Sequence, residues 1–592
     1  MYEDSGVWLR DTFTSGDYII KRYRPRIEGL WARIEHVTKS GTIGSWWKVT
    51  TKENVVTFYG LTPEARLSDP ADSRRIFRWL PQVSYDNKGN VTVYGYAAEN
   101  LINVKESPHE HNRLNGYAPL ANTYLKRVQY CNRTHWQPTT PDTYDISAEL
   151  PASSDFLMEA VLDYGDHNGD APTPTPSGLW PLRKDPFSDF HAGFEIRTYR
   201  RCQRVLMFHY FDELVGGNPV LVRSLDLTYR PDTTAFLEAD FITAIGQTGY
   251  MLKPGGGYYS KSLPSITMDY QPLVWDHTVH NVSPGDSKNA PQGLTGPYQW
   301  IDLWGEGLPG ILTEQGHGWF YKRNLGDGHF TPALTVAPKP SLQGLGSNLQ
   351  WQDLDADGRR QVVSMEGPLQ GFYELDDDQH WQSFRAFKHK INIDWKSPYT
   401  RMLDLDGDGR ADVLITEDRV WKWYENEGKE GYMEGGYFST GFDEEKAPRL
   451  LHNDMVQTIF LADMNGDGLT DIVRIKNREV CYWPNKGYGR FGAKVVMSNA
   501  PLFDRPDIFN PLYITLADVS GTGAPDLIYL GKNSCRVWIN QSGNAFSEAY
   551  DIVSLPGIDP QSKVMVADFL GNGTACIVWS SPLPQYANAP MR

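Results

Sequence analysis

The chain has few cysteines, and their arrangement matches neither a disulfide framework nor a zinc site. Five cysteines occur among 592 residues, an odd number, scattered and without a CxxC pair. Isolated cysteines of this kind are typical of small buried apolar side chains. The sequence therefore argues against a small disulfide-stapled scaffold and against a cysteine-ligated metal.

Long hydrophobic runs are also missing. No stretch approaches the roughly 20 apolar residues that a membrane-spanning helix needs. The first residues, MYEDSGVWLR, have neither the basic region nor the apolar core of a secretory signal peptide. We therefore expect no transmembrane segment and no export through an N-terminal signal read from this start.

Positive charge is in deficit. Lys and Arg number 57 against 73 Asp and Glu, which gives a formal net charge of −16. This balance argues against a nucleic-acid partner, because a phosphate backbone attracts basic surfaces. Part of the acidic excess lies in a set of repeated loops, and that placement points to cations.

The second half of the chain contains six copies of a short acidic loop. The copies are DLWGEGLPGI, DLDADGRRQV, DLDGDGRADV, DMNGDGLTDI, DVSGTGAPDL and DFLGNGTACI. They begin at Asp302, Asp353, Asp404, Asp463, Asp518 and Asp568. An apolar strand precedes each loop, a second follows it, and five copies then carry an aromatic strand. A unit of this length and strand content is typical of a propeller blade.

The first half shows strand signals almost throughout. Segments rich in β-branched and aromatic residues alternate partially with polar ones up to about residue 280. A stretch dense in Pro, Gly, Ser and Asn, residues 281–297, then separates it from the repeats. We predict an all-β chain, with an antiparallel β-sandwich or open-barrel domain over 1–285 and a six-repeat β-propeller over 286–592. Because 24 residues follow Asp568, we expect the last blade to be incomplete.

Three central loops have the pattern of a calcium site. Oxygen-bearing side chains stand at positions 1, 3, 5 and 9, and glycine stands at position 6. Alternate oxygens on a tightly curled backbone converge on a hard cation such as Ca²⁺. The predicted structural ligands are Asp353, Asp355, Asp357 and Gln361; Asp404, Asp406, Asp408 and Asp412; and Asp463, Asn465, Asp467 and Asp471. In the alternative interpretation, Asp and Asn only cap the turns through backbone hydrogen bonds, without metal.

Catalytic patterns are absent from the sequence. It contains no phosphate-binding glycine loop, no GxSxG elbow and no Ser/His/Asp arrangement at a supporting spacing. His109-Glu110-His111 lacks the HExxH spacing, and we predict a solvated loop there. Glu425-Asn426-Glu427 follows an aromatic strand in the ordinary blade position. We therefore predict that the chain is not an enzyme.

The repeats resemble FG-GAP/VCBS blades of integrin-like propellers, and longer phrases extend the resemblance. These phrases are YQWIDLWGEGLPGILTEQGHGWFYKRNLG, YLKRVQYCNR, FLMEAVLDYGDH and FEIRTYRRCQRVLMFHYF. Together they resemble the B component of bacterial Tc insecticidal toxin complexes, with its SpvB-like N-terminal region and its TcdB middle/N-terminal propeller. The chain is similar to a fragment of that component.

The resemblance implies a non-enzymatic scaffold and gate in a virulence-associated toxin complex. In that family the B and C components form an RHS-type shell around a toxic enzyme, and the propeller docks on the pentameric, pore-forming A component. It also implies an extracellular, secreted complex that is cytoplasmic before release. ADP-ribosyltransferase activity is borne by other SpvB-bearing proteins in a separate domain. The alternative that the acidic loops alone would support is a calcium-dependent adhesin or lectin-like propeller.

Overall fold

A computed structural model shows a chain that divides into two compact units. The first unit is built from Met1–Glu106 and from stretches between Ala118 and Gln271, and the second from Ser107–Tyr117 and Pro272–Arg592. The structure describes residues 2–4, 7–9, 11–215, 217–230, 239–276, 278–290, 298–316, 318–341, 349–367, 369–417, 420–439, 443–449, 456–531, 535–553, 558 and 561–592.

The first unit is dominated by one antiparallel sheet. The described strands of this unit are β1 (Tyr2–Asp4), β2 (Val7–Leu9), β3 (Thr12–Ser15), β4 (Tyr18–Tyr23), β5 (Arg33–Lys39), β6 (Ser45–Thr50), β7 (Val56–Tyr59), β8 (Arg66–Asp69), β9 (Asp72–Trp79), β10 (Pro81–Tyr85), β11 (Val91–Ala98), β12 (Thr123–Asn132), β13 (Phe156–Asp163), β14 (Phe187–Asp189), β15 (Ile196–Thr198), β16 (Arg204–His209), β17 (Val220–Tyr229), β18 (Ile242–Leu252), β19 (Tyr258–Ser262) and β20 (Ile266–Thr267).

Fourteen of the described strands join in that sheet in the order β19-β18-β17-β16-β13-β12-β11-β10-β7-β6-β5-β4-β3, with β20 beside β18. Because successive side chains of a strand point to opposite faces, one face collects the apolar residues. Val37, Phe58, Val83 and Val91 are buried together in this way. The predicted antiparallel β domain is confirmed.

The second unit contains the repeats. Its strands are β21 (Tyr298–Ile301), β22 (Gly310–Gln315), β23 (Gly318–Lys322), β24 (Asn324–Gly326), β25 (His329–Phe330), β26 (Leu334–Val336), β27 (Leu349–Gln352), β28 (Gln361–Ser364), β29 (Gly371–Tyr373), β30 (Arg385–Ala386), β31 (Thr400–Leu403), β32 (Asp412–Ile415), β33 (Val420–Asn426), β34 (Tyr432–Ser439), β35 (Gln457–Ala462), β36 (Asp471–Lys476), β37 (Glu479–Trp483), β38 (Val495–Val496), β39 (Ile514–Ala517), β40 (Asp526–Leu530), β41 (Cys535–Trp538), β42 (Asn540–Gln541), β43 (Ala545–Phe546), β44 (Tyr550–Ile552), β45 (Lys563–Ala567) and β46 (Cys576–Ser580).

Each repeat forms an antiparallel sheet whose first two strands are joined by the acidic loop, and the first and fifth repeats also contain a small two-stranded sheet, β24-β25 and β42-β43. Five repeats are four-stranded, in the orders β21-β22-β23-β26, β27-β28-β29-β30, β31-β32-β33-β34, β35-β36-β37-β38 and β39-β40-β41-β44. The sixth repeat pairs β45 with β46 among the residues that the structure describes. The predicted propeller is therefore present: among the described residues, five repeats form four-stranded blades, and the sixth forms a two-stranded sheet with an added bridge between Ser580 and Met591.

Apolar seams join neighbouring repeats and also join the sixth to the first. Phe569 and Val578 of the sixth repeat are buried with Ile311 and Phe330 of the first. The side-chain amide of Asn324 donates to the carbonyl oxygen of Phe569 at 3.1 Å. The ring of repeats is thus closed by side-chain packing and by this hydrogen bond.

Helices are few. The described ones are α1 (His111–Leu114) and α2 (Asp212–Val215), and short 3-10 turns cover Pro63–Ala65, Pro108–Glu110, Ser153–Asp155, Gly428–Glu430, Pro511–Tyr513 and Pro584–Tyr586. Among the described residues, none of the helices has the length and apolar character needed to span a bilayer.

Residues Ser107–Tyr117 form an arm that belongs to the second unit, although first-unit sequence flanks it on both sides. The Asn112 side-chain amide donates to the carbonyl oxygen of Lys494 at 2.6 Å and to Glu445 Oε2 at 3.1 Å. His109 Nδ1 lies 2.9 Å from Ser498 Oγ, and Glu110 is buried. The predicted solvated loop is wrong, because the short helical turn holds these side chains against the end of the fourth repeat.

Candidate metal centres in the repeat loops

The first aspartate of every loop holds the loop's shape. In each copy its Oδ2 accepts the backbone N–H of the residue at position 6, at 2.6 to 2.9 Å. That residue is always a glycine with φ between 84° and 89°, a region that other residues avoid. The turn-capping role therefore operates in all six loops, and a metal would be an addition to it.

Carboxylates at position 9 tie three of the loops to the strands behind them. Asp412 accepts the backbone N–H of Leu405 at 3.0 Å and of Asn426 at 2.8 Å. Asp471 and Asp526 make the corresponding pairs of bonds, and all three carboxylates are buried. Burial raises the pKa of Asp412 to about 7 and that of Asp526 to about 6, and it raises the pKa of Asp471 well above its usual range.

The third loop brings three predicted ligands together. Carboxylate oxygens of Asp404, Asp406 and Asp412 lie within 4.8 Å of one another. Burial raises the pKa of Asp406, with a further contribution from the negative charge of Asp408. The nearby cation is Arg410, whose Nη1 lies 3.5 Å from Asp408 Oδ2. Crowded carboxylate oxygens with raised pKa values are the donor set that a hard divalent cation stabilises.

The second loop is arranged differently. Lys429 reaches it from the following repeat, and its Nζ lies 2.7 Å from Asp355 Oδ2 and 2.6 Å from Glu374 Oε1. Gln361 is buried, and its Oε1 accepts the backbone N–H of Leu354 at 2.9 Å. In the second loop, Gln361 therefore has the role that Asp412 has in the third loop, and it ties the loop to the strand. Asp353 accepts from the backbone N–H of Asp357 at 3.1 Å, as a turn cap does.

The fourth loop keeps its predicted oxygens on one curl of backbone. Asp463 Oδ1 accepts from Gly466 at 2.8 Å and from Asp467 at 3.1 Å, and Asn465 Oδ1 also accepts from Asp467, at 3.2 Å. Among the described residues of this loop, no three carboxylates approach as closely as those of the third loop. Its oxygen ligands are thus present, with an amide in place of one carboxylate.

The outer loops lack that donor set. In the first loop Glu306 forms an ion pair with Arg323. In the fifth, Ser520 and Thr522 hydroxyls lie 3.1 Å apart. In the sixth, Asn572 Oδ1 accepts the backbone N–H of Thr574 at 3.0 Å. In these three loops, the polar side chains therefore contact other groups of the protein.

Two of the residues set aside as catalytic candidates, Asn426 and Glu427, have structural partners. Glu427 Oε2 lies 2.5 Å from His389 Nδ1, and the Asn426 side-chain amide donates to the carbonyl oxygen of Ala411 at 3.0 Å. The sequence analysis missed Glu374 and Lys429, and it considered Glu425 only as a catalytic candidate. A regularity was available for two of them, because Glu374 and Glu425 both stand 21 residues after the first aspartate of their loops.

Two family models match the chain. The SpvB model, described as Salmonella virulence plasmid 65kDa B protein, matches residues 3–211. The FG-GAP-like repeat model matches residues 404–474, which include the third and fourth loops. The chain therefore carries an SpvB-like N-terminal region and FG-GAP-type repeats, as its sequence predicted.

Curated relatives match the first part of the chain. Proteins named mono(ADP-ribosyl)transferase SpvB from Salmonella enteritidis and Salmonella dublin are 35% identical over 215 residues, which is 36% of this chain and 35% of each relative. The chain thus spans about a third of the length of these relatives. The prediction that the chain is not an enzyme is contradicted by these names. The prediction rested on the lack of a known catalytic pattern within 592 residues. Such a pattern search does not detect relatives that are named as enzymes.

Solved structures match nearly the whole chain. A Tc holotoxin pore of Photorhabdus luminescens is similar over 99% of this chain and 27% of the matched chain, at 27% identity with a TM-score of 0.85. A crystal structure of TcdB2-TccC3 is similar over 97% of this chain and 28% of the matched chain, at 27% identity with a TM-score of 0.72. The predicted resemblance to Tc toxin components is confirmed.

Proposed function

We propose that this chain is a scaffold and gate component of a Tc-type toxin complex. The observation that carries the proposal is the similarity of 99% of the chain, through both compact units, to part of a Tc holotoxin pore. Both an SpvB-like region and FG-GAP repeats are present in the order that such a component would have. A propeller used only for adhesion would not need the preceding SpvB-like region.

We propose the partners on the basis of the same comparison. The propeller would dock on a pore-forming A component, and the chain would form part of a shell with a C component of RHS type around a toxic enzyme. The matched structures are of a holotoxin pore and of a TcdB2-TccC3 complex, which supports both partner classes. Such a complex acts outside the cell that makes it, so we propose a secreted toxin component with a cytoplasmic stage before release.

Direct binding tests the proposal. We expect the full 592-residue chain to bind an immobilised pentameric A component of a Tc toxin, and to bind it in one-to-one stoichiometry with the pentamer. Biolayer interferometry at two salt concentrations gives the affinity and its electrostatic share. A glycan array probed with the same preparation is the comparison.

The controls separate docking from adhesion. A chain denatured and captured at equal density should give no signal on the A component. Binding to glycans without binding to the A component would contradict the proposal and favour a lectin-like propeller. Binding to neither would contradict the docking role.

We also propose that calcium binds the third and fourth loops as a structural ion. Asp404, Asp406 and Asp412 would hold it in the third loop, and Asp463, Asn465, Asp467 and Asp471 in the fourth. The close approach of three carboxylates in the third loop supports this assignment. Calcium would stabilise the curl of the loop and would neutralise carboxylates whose pKa values are raised.

A position-3 substitution tests the calcium proposal. After dialysis against a chelator, calcium at about a hundredfold excess over its dissociation constant should stabilise the chain by about 3 kcal/mol per site. Asp406→Ala should remove the contribution of the third loop. Ser520→Ala, at position 3 of the fifth loop, is the matched control and should respond like the unaltered chain. Calorimetric melting with and without calcium checks this, and equal responses from Asp406→Ala and Ser520→Ala would contradict it.

A further inference from the structure

We propose that Lys429 is a tethered cation that takes the place of a metal ion at the second repeat loop. Whether a loop of this propeller binds a divalent ion then depends on the residue that the following repeat places against it. The inference has two tests. The test at Tyr488 rests on the proposed calcium role of the third loop, whereas the test at Lys429 does not.

The contacts at the second loop carry the first step. Lys429 Nζ bridges Asp355 Oδ2 at 2.7 Å and Glu374 Oε1 at 2.6 Å. The Lys429 side chain is 23% exposed, the Glu374 side chain 14% and the Asp355 side chain 37%, so the ammonium is partly shielded from solvent, most of all on the side of Glu374. A lysine ammonium is a compact point charge with three donors, and it satisfies two carboxylates as a small cation would.

The backbone brings Lys429 to this place by close approach of two repeats. Gly428 has φ of 66°, and a Cβ atom there would lie 2.9 Å from the carbonyl oxygen of Leu354 and 3.0 Å from Asp355 Oδ1. A glycine is therefore required before Lys429, because any side chain would push the turn away from the loop. The ammonium is held at the acidic loop by the fold.

The third loop has the same two carboxylates without the lysine. Asp406 and Glu425 stand at the positions that Asp355 and Glu374 hold in the second repeat. The following turn again touches the loop, since the Asn485 side-chain amide donates to the carbonyl oxygen of Asp404 at 3.0 Å. Lys429 is the third residue after Asn426, and the third residue after Asn485 is Tyr488.

This difference decides where charge is left uncompensated. Among the described residues, no lysine or arginine nitrogen forms an ion pair with Asp406 or Glu425, whereas one lysine serves both of their counterparts. A tethered ammonium is independent of the calcium concentration, while a carboxylate group without one gains from a divalent ion. The second loop would thus stay ordered without calcium, and the third would depend on it.

A reciprocal exchange in the full-length chain tests the inference. Lys429→Tyr gives the second loop the residue of the third, and Tyr488→Lys gives the third loop the residue of the second. We expect Lys429→Tyr to bind one calcium ion more per chain than the unaltered protein, and Tyr488→Lys one fewer. Calcium at about a hundredfold excess over its dissociation constant should raise the melting temperature of Lys429→Tyr by about 5 °C more than it raises that of the unaltered chain.

Calcium content by atomic emission and calorimetric melting in chelator, magnesium and calcium are the measurements. Lys388→Tyr is the matched control, since Lys388 forms a more exposed pair with Glu430 at 3.5 Å. Lys429→Gln serves as a second variant in case the tyrosine disturbs folding. An unchanged ion count in both Lys429 variants overturns the inference, even if they are less stable. An extra ion in Lys429→Tyr supports it even if the unaltered chain binds none, an outcome that would contradict only the calcium proposal for the third loop.

Discussion

At pH 4, replacing Asp526 by alanine is expected to destabilise the chain by about 3–5 kcal/mol, because three backbone N–H groups, two of them buried, lose their acceptor. Asp526 accepts from Val519 at 3.0 Å, from Ser520 at 2.9 Å and from Asn540 at 2.8 Å, and its side chain is fully buried. These bonds tie the fifth loop to the strands on either side of it. Urea denaturation followed by tryptophan fluorescence measures the loss.

Asp526→Asn is the control, because it keeps the shape and part of the acceptor capacity. It also tests a pH effect. Burial raises the pKa of Asp526 to about 6 in the folded chain, above the ordinary value of 3.8, so the folded state binds the proton more tightly. Its contribution to stability is present below about pH 4 and is lost as the pH rises through about 6, a change of about 3 kcal/mol.

The unaltered chain should therefore lose more stability between pH 4 and pH 7 than Asp526→Asn does. Equal losses in the two proteins would contradict the assignment. Asp526 is the suitable group for this measurement because its loop carries Ser520 and Thr522 where the calcium candidates carry carboxylates.

Trp483→Ala is the second large effect, with an expected loss of about 3–5 kcal/mol. Trp483 is 1% exposed in the seam between the third and fourth repeats, packed with Leu405 and Trp421. Its indole Nε1 donates to the carbonyl oxygen of Glu444 at 2.9 Å, so the substitution leaves both a cavity and a carbonyl without its donor.

An exposed tryptophan provides the comparison. Trp31 of the first unit is 70% exposed, and Trp31→Ala should change the free energy of unfolding by less than about 0.5 kcal/mol. Denaturant midpoints of both variants in the same buffer decide the matter. A loss below about 1 kcal/mol in Trp483→Ala would show that the seam does not hold the two repeats together.

The repeated loops made the propeller predictable, because their information is local. An aspartate whose oxygens cap a glycine turn five residues later identifies the loop in sequence, and Asp302 and Asp568 do so as clearly as Asp404. The strands before and after each loop then pair across it. The antiparallel β domain of the first unit was predicted from a different local signal, the partial alternation of β-branched and aromatic residues with polar ones.

What the sequence did not predict lies between repeats. Asp355 and Asp406 occupy equal positions in nearly identical loops, and only the folded chain shows that Lys429 meets one of them. The burial of Glu110 in the arm was missed for the same reason, since a polar segment reads as solvated until its partners are known. The spacing of residues along the chain does not predict contacts between segments that are distant in sequence.

The arm at Ser107–Tyr117 has a consequence for how such chains exchange their parts. A recombination or an engineered fusion that joins a foreign N-terminal region at Pro272 replaces the arm together with that region. The incoming arm would have to supply its own partner for the Lys494 carbonyl and the Glu445 carboxylate, a place that Asn112 fills in this protein. Compatibility of a hybrid is then decided at eleven residues far upstream of the crossover, and exchangeable modules in this architecture are defined by packing instead of by order along the gene.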